Sequence, residues 1–459
     1  MPKTKEQSQT SEQISEQTKT LEAIATSHPR YAARCNCRDY YDGKHATMLT
    51  ERQKKYLQVK TGQEFNDNYC PIVVDSLSER LTLTGFIVTS NDAEAQKQLF
   101  NDWWKASRLD AGQSDVYTGA IRDGDTYALV EWDNVNLRPS ITYEPAYDGT
   151  EGAEIIYNPN KRREPLYGFK RWKSDTGERL NIYWPDRVEK YSKDNDTGGW
   201  QIIETEQWPG AVGMPLFHFR NRAGGYNYGK SELHDVIPPQ NALNKSIIDM
   251  VAAADTTGFR LYWMTGGDPS ALEITPGSFI YSENDAARIG HIPGEDLSKL
   301  IEFKDSFAME IARVSRTPLS FFQITRQVSS EGTLKQQESG LVSRAKKRQV
   351  EYGNTWEDVF GFARKLWNLY GGQPMLDETA TIDAQWADPE TRDDKGRLEE
   401  LKIKSELGVP EKTIWIEMGY SAEQILEFEA SPDYQDRQAR RQLMNIRLQQ
   451  EDSIPEVQQ

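Results

Sequence analysis

A helical stretch of nearly 40 residues, which begins near Leu334, limits the architecture of this chain more than any other segment. Its apolar residues follow the spacing of one helix face, and three glycines mark expected bends, Gly340, Gly353 and Gly361. A polar loop of about 15 residues, 319–333, precedes it, and loops of this length are usually functional or disordered. Only 37% of the 459 residues are hydrophobic, so we expect an elongated or multi-module protein with small cores.

Two helices with a small β module between them are predicted before that loop. The first helix, 238–255, begins at two prolines, which are tolerated in a first helical turn. The second helix, 296–317, carries an apolar stripe and stops before Pro318. Between them, 259–264 and 278–281 are short apolar strand candidates. The two helices are therefore expected to run antiparallel.

The first half of the chain predicts an α+β domain, with helices first and strands after. Residues 1–28 are too polar to offset the entropy of ordering them and are predicted to form a tail. Helices are expected over 71–80 and 93–108, with a strand over 81–88 between them. Alternating runs separated by turn dipeptides then predict antiparallel strands at 127–132, 154–157, 166–172, 180–183, 187–191 and 200–204. Beyond Trp386 we expect short helices and a flexible C-terminal tail, 431–459.

The charge distribution restricts the partners. The chain has 55 Lys and Arg against 71 Asp and Glu, which argues against a general coat of positive charge for nucleic acid or anionic membranes. Residues 311–350 are the exception, with eight basic and two acidic side chains. That segment is a candidate contact for a phosphate backbone, and a solvated helix face that pairs with acidic neighbours is the alternative.

Other features favour a cytoplasmic protein without enzymatic chemistry. No stretch approaches the roughly 18 apolar residues of a membrane span, and no secretory signal is visible. The three cysteines, Cys35, Cys37 and Cys70, could join His45 in a metal site, but the Cys-x-Cys spacing is unusual for zinc, so free thiols are expected. No catalytic constellation stands out, and Asp123 and Asp125 resemble turn residues. We expect no cofactor and no metal.

One motif suggests nucleotide binding. Residues 224–231, GGYNYGKS, match the phosphate-binding pattern GxxxxGK[ST]. That loop needs a buried parallel strand before it and a helix after it, so that backbone amides and the lysine hold phosphates. Here the preceding run, 216–222, alternates like a solvent-facing antiparallel strand, and two prolines interrupt the helix that follows. A chance match is therefore expected, with a P-loop ATPase or motor-associated enzyme as the alternative.

Several segments occur in the order found in portal proteins of tailed double-stranded DNA bacteriophages, in the branch typified by phage SPP1. The run YGKSELHDVIPPQNALNKSIIDM, 228–250, resembles the start of the portal stem, and DYYDGKH, 39–45, is similar to an early Tyr-Tyr-x-Gly segment. NDNYCPIVVDSLSERLTLTGF, 66–86, looks like the wing helix and strand. TPLSFF, 317–322, followed by SSEGTLKQQESGL, 329–341, looks like the tunnel loop entering the long helix. The resemblance covers roughly residues 30–430.

The resemblance implies the α+β portal fold, with an α/β wing, a helical stem, a small β-rich clip, a long bent helix and an α-helical crown. By position, the implied modules are the wing (29–222), the stem helices (229–256 and 296–317), the clip (257–295), the tunnel loop (318–333), the long helix (334–385) and the crown (386–430).

The resemblance also implies a ring of twelve subunits at one capsid vertex, the channel for packaging and ejection of double-stranded DNA. The implied partners are other copies of the chain, DNA bound without sequence preference, the large terminase subunit, major capsid and scaffolding proteins and a head-completion adaptor, with no membrane. The implied location is the virion, and the host cytoplasm during assembly. The expected DNA contacts are Gln323, Thr325, Arg326, Gln327, Lys335 and Lys346, and the expected docking residues of the clip are Trp263, Asp268 and Glu283. A non-viral structural scaffold is a further alternative.

Overall fold

The computed structural model describes residues 28–45, 67–194, 199–208, 213–258, 262–266, 288–291, 297–322, 331–390 and 394–418, with 20, 21, 24, 286, 425, 428–432, 434 and 435. The chain divides into two compact units, residues 1–390 and 391–459. Within the described residues no helix is both long enough and apolar enough to cross a membrane.

The first unit mixes helices and antiparallel sheets. Its described helices are α1 (Pro29–Tyr41), α2 (Cys70–Ser78), α3 (Ala93–Ala106), α4 (Leu109–Asp123), α5 (Ile237–Gly258), α6 (Leu297–Ser315) and α7 (Glu331–Leu369). Its described strands are β1 (Leu83–Thr89), β2 (Asp125–Asp133), β3 (Arg138–Pro145), β4 (Gly152–Tyr157), β5 (Pro165–Ser174), β6 (Gly177–Tyr183), β7 (Arg187–Asp194), β8 (Gln201–Gln207), β9 (Leu216–Arg220), β10 (Tyr262–Thr265), β11 (Arg288–His291) and β12 (Thr381–Trp386).

The strands pair mostly with their neighbours in sequence. A five-stranded meander has the order β4-β5-β6-β7-β8, and a three-stranded sheet has the order β3-β2-β9. The six strands predicted between 127 and 204 are confirmed as β2 and β4 to β8. Gly177 shows why a hairpin turn here needs glycine: its φ is +147°, and a Cβ would lie 2.2 Å from the Lys193 carbonyl oxygen.

The main core is built around α7. Tyr352, Trp356 and Phe360 of this helix are fully buried. The ring of Trp356 lies edge-on to Trp104 of α3, with 5.3 Å between centroids, and its Nε1 donates to Tyr117 Oη of α4 at 3.0 Å. Such aromatic pairs add about 0.5–1.5 kcal/mol beyond the burial of their area. The helices and small sheets of this unit therefore pack against the long helix.

The second unit is a small helical module. It contains α8 (Asp394–Glu406) and α9 (Glu411–Met418). Trp415 of α9 packs against Phe428 and Tyr434, with ring centroids 5.4 and 5.2 Å away. Short helices after Trp386 are thus confirmed by α8 and α9, while Tyr434, in the segment predicted as a C-terminal tail, 431–459, belongs to this cluster.

Two elements that the sequence did not predict follow from tertiary packing. Helix α4 contains Gly112 and Gly119, which weaken a helix in isolation. Gly119 is nevertheless required, since a Cβ there would lie 3.0 Å from Tyr143 Oη and 3.1 Å from Thr126 Oγ1. Strand β3 begins and ends near prolines, which an edge strand tolerates because one side of its backbone needs no partner.

The predicted end of the long helix is corrected. The helix is 39 residues long, as expected, but it ends at Leu369 rather than near 385. Gly371, with φ +80°, ends it, and Pro374 prevents its continuation. Residues 381–386 instead form β12, which pairs antiparallel with the distant β1. Strand β10 pairs with β11, and the strand predicted at 278–281 lies outside the described residues.

At the inner end of the segment predicted as an N-terminal tail, 1–28, part of the chain is packed. Ile24 is only 4% exposed and belongs to a hydrophobic cluster with Tyr31 and Tyr147. Most of the remaining residues of 1–28 lie outside the described part of the chain.

A buried group of charges ties α1 to the sheets. Asp125, at the start of β2, accepts hydrogen bonds from Arg34 Nη2 at 2.7 Å, His218 Nε2 at 2.8 Å and the Gly229 amide at 2.6 Å. Burial alone would raise the pKa of Asp125, but the hydrogen bond from His218 and the charge of Arg34 lower it below its ordinary value. Asp123 and Asp125 are therefore not exposed turn residues; both are buried, on either side of Gly124.

The histidine in this group is held in one form. Burial lowers the pKa of His218, so the ring is neutral, although Asp125 opposes this effect. Its Nε2–H donates to Asp125, and its Nδ1 accepts from Tyr157 Oη at 2.8 Å. Burial raises the pKa of Tyr157, so its hydroxyl stays protonated as a donor. The Tyr–His–Asp chain is fully bonded and stabilises the junction of β2, β4 and β9.

We predict that Asp125→Asn destabilises the protein by about 3 kcal/mol, because it leaves the Arg34 charge buried with one fewer partner. The measurement is urea unfolding followed by circular dichroism. The Asp125 contribution is present above its ordinary pKa near 3.8 and is lost as pH falls through its lower folded value. The stability difference between wild type and variant should therefore shrink below about pH 4.

The matched control is Asp133→Asn at the other end of the same strand. Asp133 is half-buried and caps a turn: an asparagine oxygen can still accept from the Val135 and Asn136 amides, and only the bond from Asn136 Nδ2 to Oδ2 is lost. Equal effects of the two substitutions would contradict the role given to Asp125.

Candidate functional site: the glycine-rich junction and its basic cleft

The GGYNYGKS loop does not have the geometry of a phosphate loop. The Gly229 amide donates to Asp125, and the Lys230 amide donates to the Asn221 carbonyl at 2.7 Å. Lys230 Nζ lies 2.9 and 3.2 Å from the two carboxylate oxygens of Asp235. Against the effect of burial, these bonds and the neighbouring positive charges lower the pKa of Asp235 to about 2. The donors that would hold a phosphate are committed to the protein itself.

The strand before this loop also differs from that of a nucleotide-binding fold. Strand β9 pairs antiparallel with β2, as the sequence predicts. It is not solvent-facing, however, because Phe219 is fully buried, with its ring centroid 5.0 Å from that of Trp356. Gly229 is present for steric reasons, since a Cβ would lie 2.0 Å from the Gly124 carbonyl oxygen. The match to the motif thus reflects packing, which supports the expectation of a chance match.

The residue after this motif, Glu232, is the centre of a second buried ionic group. Its Oε1 accepts from Arg348 Nη2 at 3.2 Å and from Asn221 Nδ2 at 3.3 Å. Its Oε2 lies 3.0 Å from Arg344 Nη2 and 3.4 Å from Arg222 Nη1. Arg344 Nη1 also donates to the Ser315 carbonyl at the end of α6. One carboxylate therefore joins the glycine-rich junction, α6 and α7.

A cleft of about 590 Å³ opens beside this group. Seven basic and three acidic side chains line it, and the basic ones are Arg163, Arg220, Arg222, Arg316, Arg344, Lys347 and Arg348. Burial lowers the pKa of Arg344, and the charges of Arg348 and Arg222 lower it further, against the opposing effect of Glu232. The cleft is thus a site of excess positive charge in a chain whose net charge is −16.

One arginine of the cleft has an unused hydrogen-bond donor. Arg220 Nη1 is buried without a hydrogen-bond partner among the described residues. Arg344 Nη2, by contrast, is paired with Glu232 Oε2 at 3.0 Å. The cations that line the cleft outnumber its carboxylates, which favours an anionic partner.

The basic segment 311–350 thus divides into two groups. Arg316, Arg344, Lys347 and Arg348 meet at the cleft. Arg313 and Lys346 lie outside it and pair with Glu310 and Glu390, respectively; the Lys346 distance is 2.8 Å. Part of the segment therefore pairs with acidic neighbours, and part lines a positive surface; contact with a phosphate backbone stays a prediction.

Most of the other predicted contact residues fall outside the described part of the chain. Gln323, Thr325, Arg326 and Gln327 lie there, as do Asp268 and Glu283. Lys335 is placed on the first turns of α7 by its backbone. Trp263 lies on β10, is 46% exposed, and faces Gly290 of β11. Its indole occupies the position of a Cβ at Gly290, at 2.5 Å, so only glycine fits opposite it.

The cysteines and His45 form no metal site in the described residues. Cys37 and Cys70 are buried in the main core, and burial raises the pKa of the Cys70 thiol to about 12. The Cys35 thiol contacts the Asp148 carbonyl, and His45 contacts Asn244 and the Tyr40 carbonyl. None of the three cysteines forms a disulfide in the described part of the chain.

Sequence inspection missed the residues that organise both ionic groups. Asp125, Glu232 and Arg34 are ordinary charged residues in sequence, with nothing local to mark their burial. The one available signal is the charge of Asp125 directly before the apolar run Tyr127–Val130, because a charge at the start of a buried strand needs a partner.

Comparisons with known proteins agree with the order of these elements. The family model described as phage portal protein, SPP1 Gp6-like, matches residues 22–430. The portal protein of Mycobacterium phage D29 is 24% identical over 356 residues, which cover 70% of this chain and 69% of that protein. The portal protein of Mycobacterium phage L5 is 21% identical over 418 residues, 84% of this chain and 82% of that protein. Because the family model spans most of its length, this chain belongs to the SPP1 Gp6-like family of phage portal proteins.

Proposed function

We propose that this protein is the subunit of a closed ring that forms the DNA channel at one vertex of a phage capsid. Its family is structural rather than enzymatic. The ring contains about twelve copies related by rotation, so that each copy uses two different surfaces to contact its neighbours. The ring occupies the virion, and it assembles in the host cytoplasm.

An exposed apolar surface on α6 and the turn after it carries this proposal. Its members are Ile301, Phe303, Met309, Val314, Leu319 and Phe321, each between 36% and 54% exposed. Ala308, Ile311 and Ala312 of the same helix are buried, and Ile301 lies on their stripe, whereas Phe303 and Val314 lie on the opposite side of the helix. Exposed apolar groups that occur together on one segment mark interaction surfaces. We call this set the α6 apolar surface.

The modules are assigned in the same proposal. The wing comprises 29–222, the stem contains α5 and α6 within 229–256 and 296–317, and the clip, 257–295, contains the β10–β11 pair. The tunnel loop, predicted as 318–333, leads into α7, whose first turn begins at Glu331, and the crown comprises 386–430. The packing of α5 against α6 supports the pairing of the two stem helices.

In this proposal the ring passes double-stranded DNA without reading its sequence. The net charge of −16 keeps phosphates from adhering to most of the channel wall, and the tunnel loop makes weak contacts as the DNA slides. The clip docks the large terminase subunit during packaging and a head-completion adaptor afterwards. The outer surface contacts capsid and scaffolding proteins.

The first test is the mass of the purified assembly by native mass spectrometry. A closed oligomer of about twelve chains is expected. A protein that stays monomeric at all concentrations, with or without scaffolding protein, would contradict the proposal.

We predict that Met309→Asp weakens ring formation at least tenfold, because it places a charge on the α6 apolar surface. The measurement is the oligomer fraction by sedimentation, with the melting temperature of the subunit as a check on folding. The control is Val135→Asp, at an 89% exposed position in the turn after β2. If both variants assemble like wild type, the α6 apolar surface is not an interface.

We predict that Arg326→Glu reduces the DNA packaged or retained per capsid, because it replaces an attractive contact with phosphate by repulsion. The readout is DNA content per particle. Lys161→Glu, on an exposed loop of the wing, is the control. Unchanged packaging and retention would remove Arg326 from the mechanism.

We predict that Trp263→Ala or Asp268→Ala impairs terminase or adaptor binding while the ring mass stays the same. The reason is that an exposed tryptophan on a small β-hairpin presents a large apolar contact area. Binding is measured by pull-down with purified terminase and adaptor. Normal binding of both partners by both variants would show that these residues are not the docking site.

A further inference from the structure

The basic cleft has properties that the channel function does not explain. Arg316, at the end of α6, and Lys347, on α7, are exposed on its rim and have no ion-pair partner in the described part of the chain. Arg220 also lines the cleft and has a buried donor without a hydrogen bond in the described part of the chain. Three cationic groups thus meet at one cavity while Glu232 is already shared among Arg348, Arg344 and Arg222. The cationic groups of the cavity therefore outnumber the carboxylates that line it.

The shape of the site favours a side chain over duplex DNA. Arg316 and Lys347 are exposed in a concave cavity, where a protruding carboxylate can reach them more easily than the convex backbone of a duplex. Glu351 and Asp358 also line the cavity, and they would repel a continuous row of phosphates. An individual carboxylate needs only the space between the arginines, and it matches their planar donors.

The surroundings of the cleft indicate which protein supplies that carboxylate. Val314 lines the cleft and also belongs to the α6 apolar surface. A partner that covers this surface therefore reaches the cleft. In the proposed ring that partner is a second copy of this chain, which carries 71 acidic residues against 55 basic ones. A polar, hydrated DNA surface would leave the adjoining apolar groups uncovered.

We propose that the cleft binds carboxylate side chains of the neighbouring copy and thereby sets the contact between adjacent subunits. This inference rests on the proposed ring. The apolar contact supplies most of the attraction, and the charged contact fixes the register of one subunit against the next, because a misplaced neighbour leaves both the arginines and its own carboxylates unpaired.

The test compares two double variants with the same change in charge. Arg316→Glu with Lys347→Glu reverses the two exposed charges at the rim of the cleft and leaves the arginines of the Glu232 group in place. Lys97→Glu with Lys105→Glu makes the same change on exposed positions of α3, away from the cleft. Oligomer formation is measured by native mass spectrometry over a range of protein concentrations, and binding of a short DNA duplex by fluorescence anisotropy.

We expect the cleft variant to need at least about tenfold more protein to assemble, or to form rings of mixed subunit number, while the α3 variant assembles like wild type. The variant with Gln at both cleft positions should give an intermediate result. If its melting temperature is unchanged, misfolding is excluded as the cause. Normal assembly of the Glu variant would overturn the inference. So would normal assembly combined with a selective loss of DNA binding, because phosphate would then be the ligand.

Failure of the two proposals can be distinguished. If wild type forms no ring, the proposed function fails together with the inference. If wild type and the Glu variant form the same ring, only the inference about the cleft fails.

Discussion

The carboxylate of Asp125 holds together segments that are far apart in sequence, and the arrangement of the first unit depends on it. It joins α1 through Arg34, β9 through His218 and the glycine-rich junction through the Gly229 amide. A charge buried this deeply is stable only while all of its partners are in place. The sheet, the first helix and the junction are therefore fixed as a group.

A second buried carboxylate, that of Glu232, connects the same region to the helices. Asn221 and Glu232 lie on either side of the glycine-rich loop, and both bind Arg348 of α7. Arg344, one turn earlier, reaches the last carbonyls of α6. The end of α6 is thus tied to the long helix where the chain enters residues 318–333. In the proposed portal, this places the start of the tunnel loop against a rigid support, and it brings the α6 apolar surface next to the basic cleft.

Apolar and charged surfaces have different roles in the proposed ring. Covering Ile301, Phe303 and Met309 gives association without much directional preference. The cleft contributes little net attraction, because its charges must lose water on binding, but it penalises a neighbour in the wrong register. An acidic total charge leaves the remaining surface repulsive toward DNA, which suits a channel through which DNA must move.

The sequence by itself determined the local elements and, through the order of its segments, the family. Alternation in 127–204 and the apolar stripe of the long helix are short-range patterns, so β2, β4 to β8 and α7 could be predicted. Strand β12 could not, because its partner β1 is almost 300 residues earlier and the pairing leaves no local signal. Helix α4 depends on the close approach of Gly119 to β3, and the cleft depends on arginines of α6, α7 and β9 meeting around Glu232. Only the tertiary structure decided these, since burial and the choice of an ionic partner are properties of neighbours in space rather than in sequence.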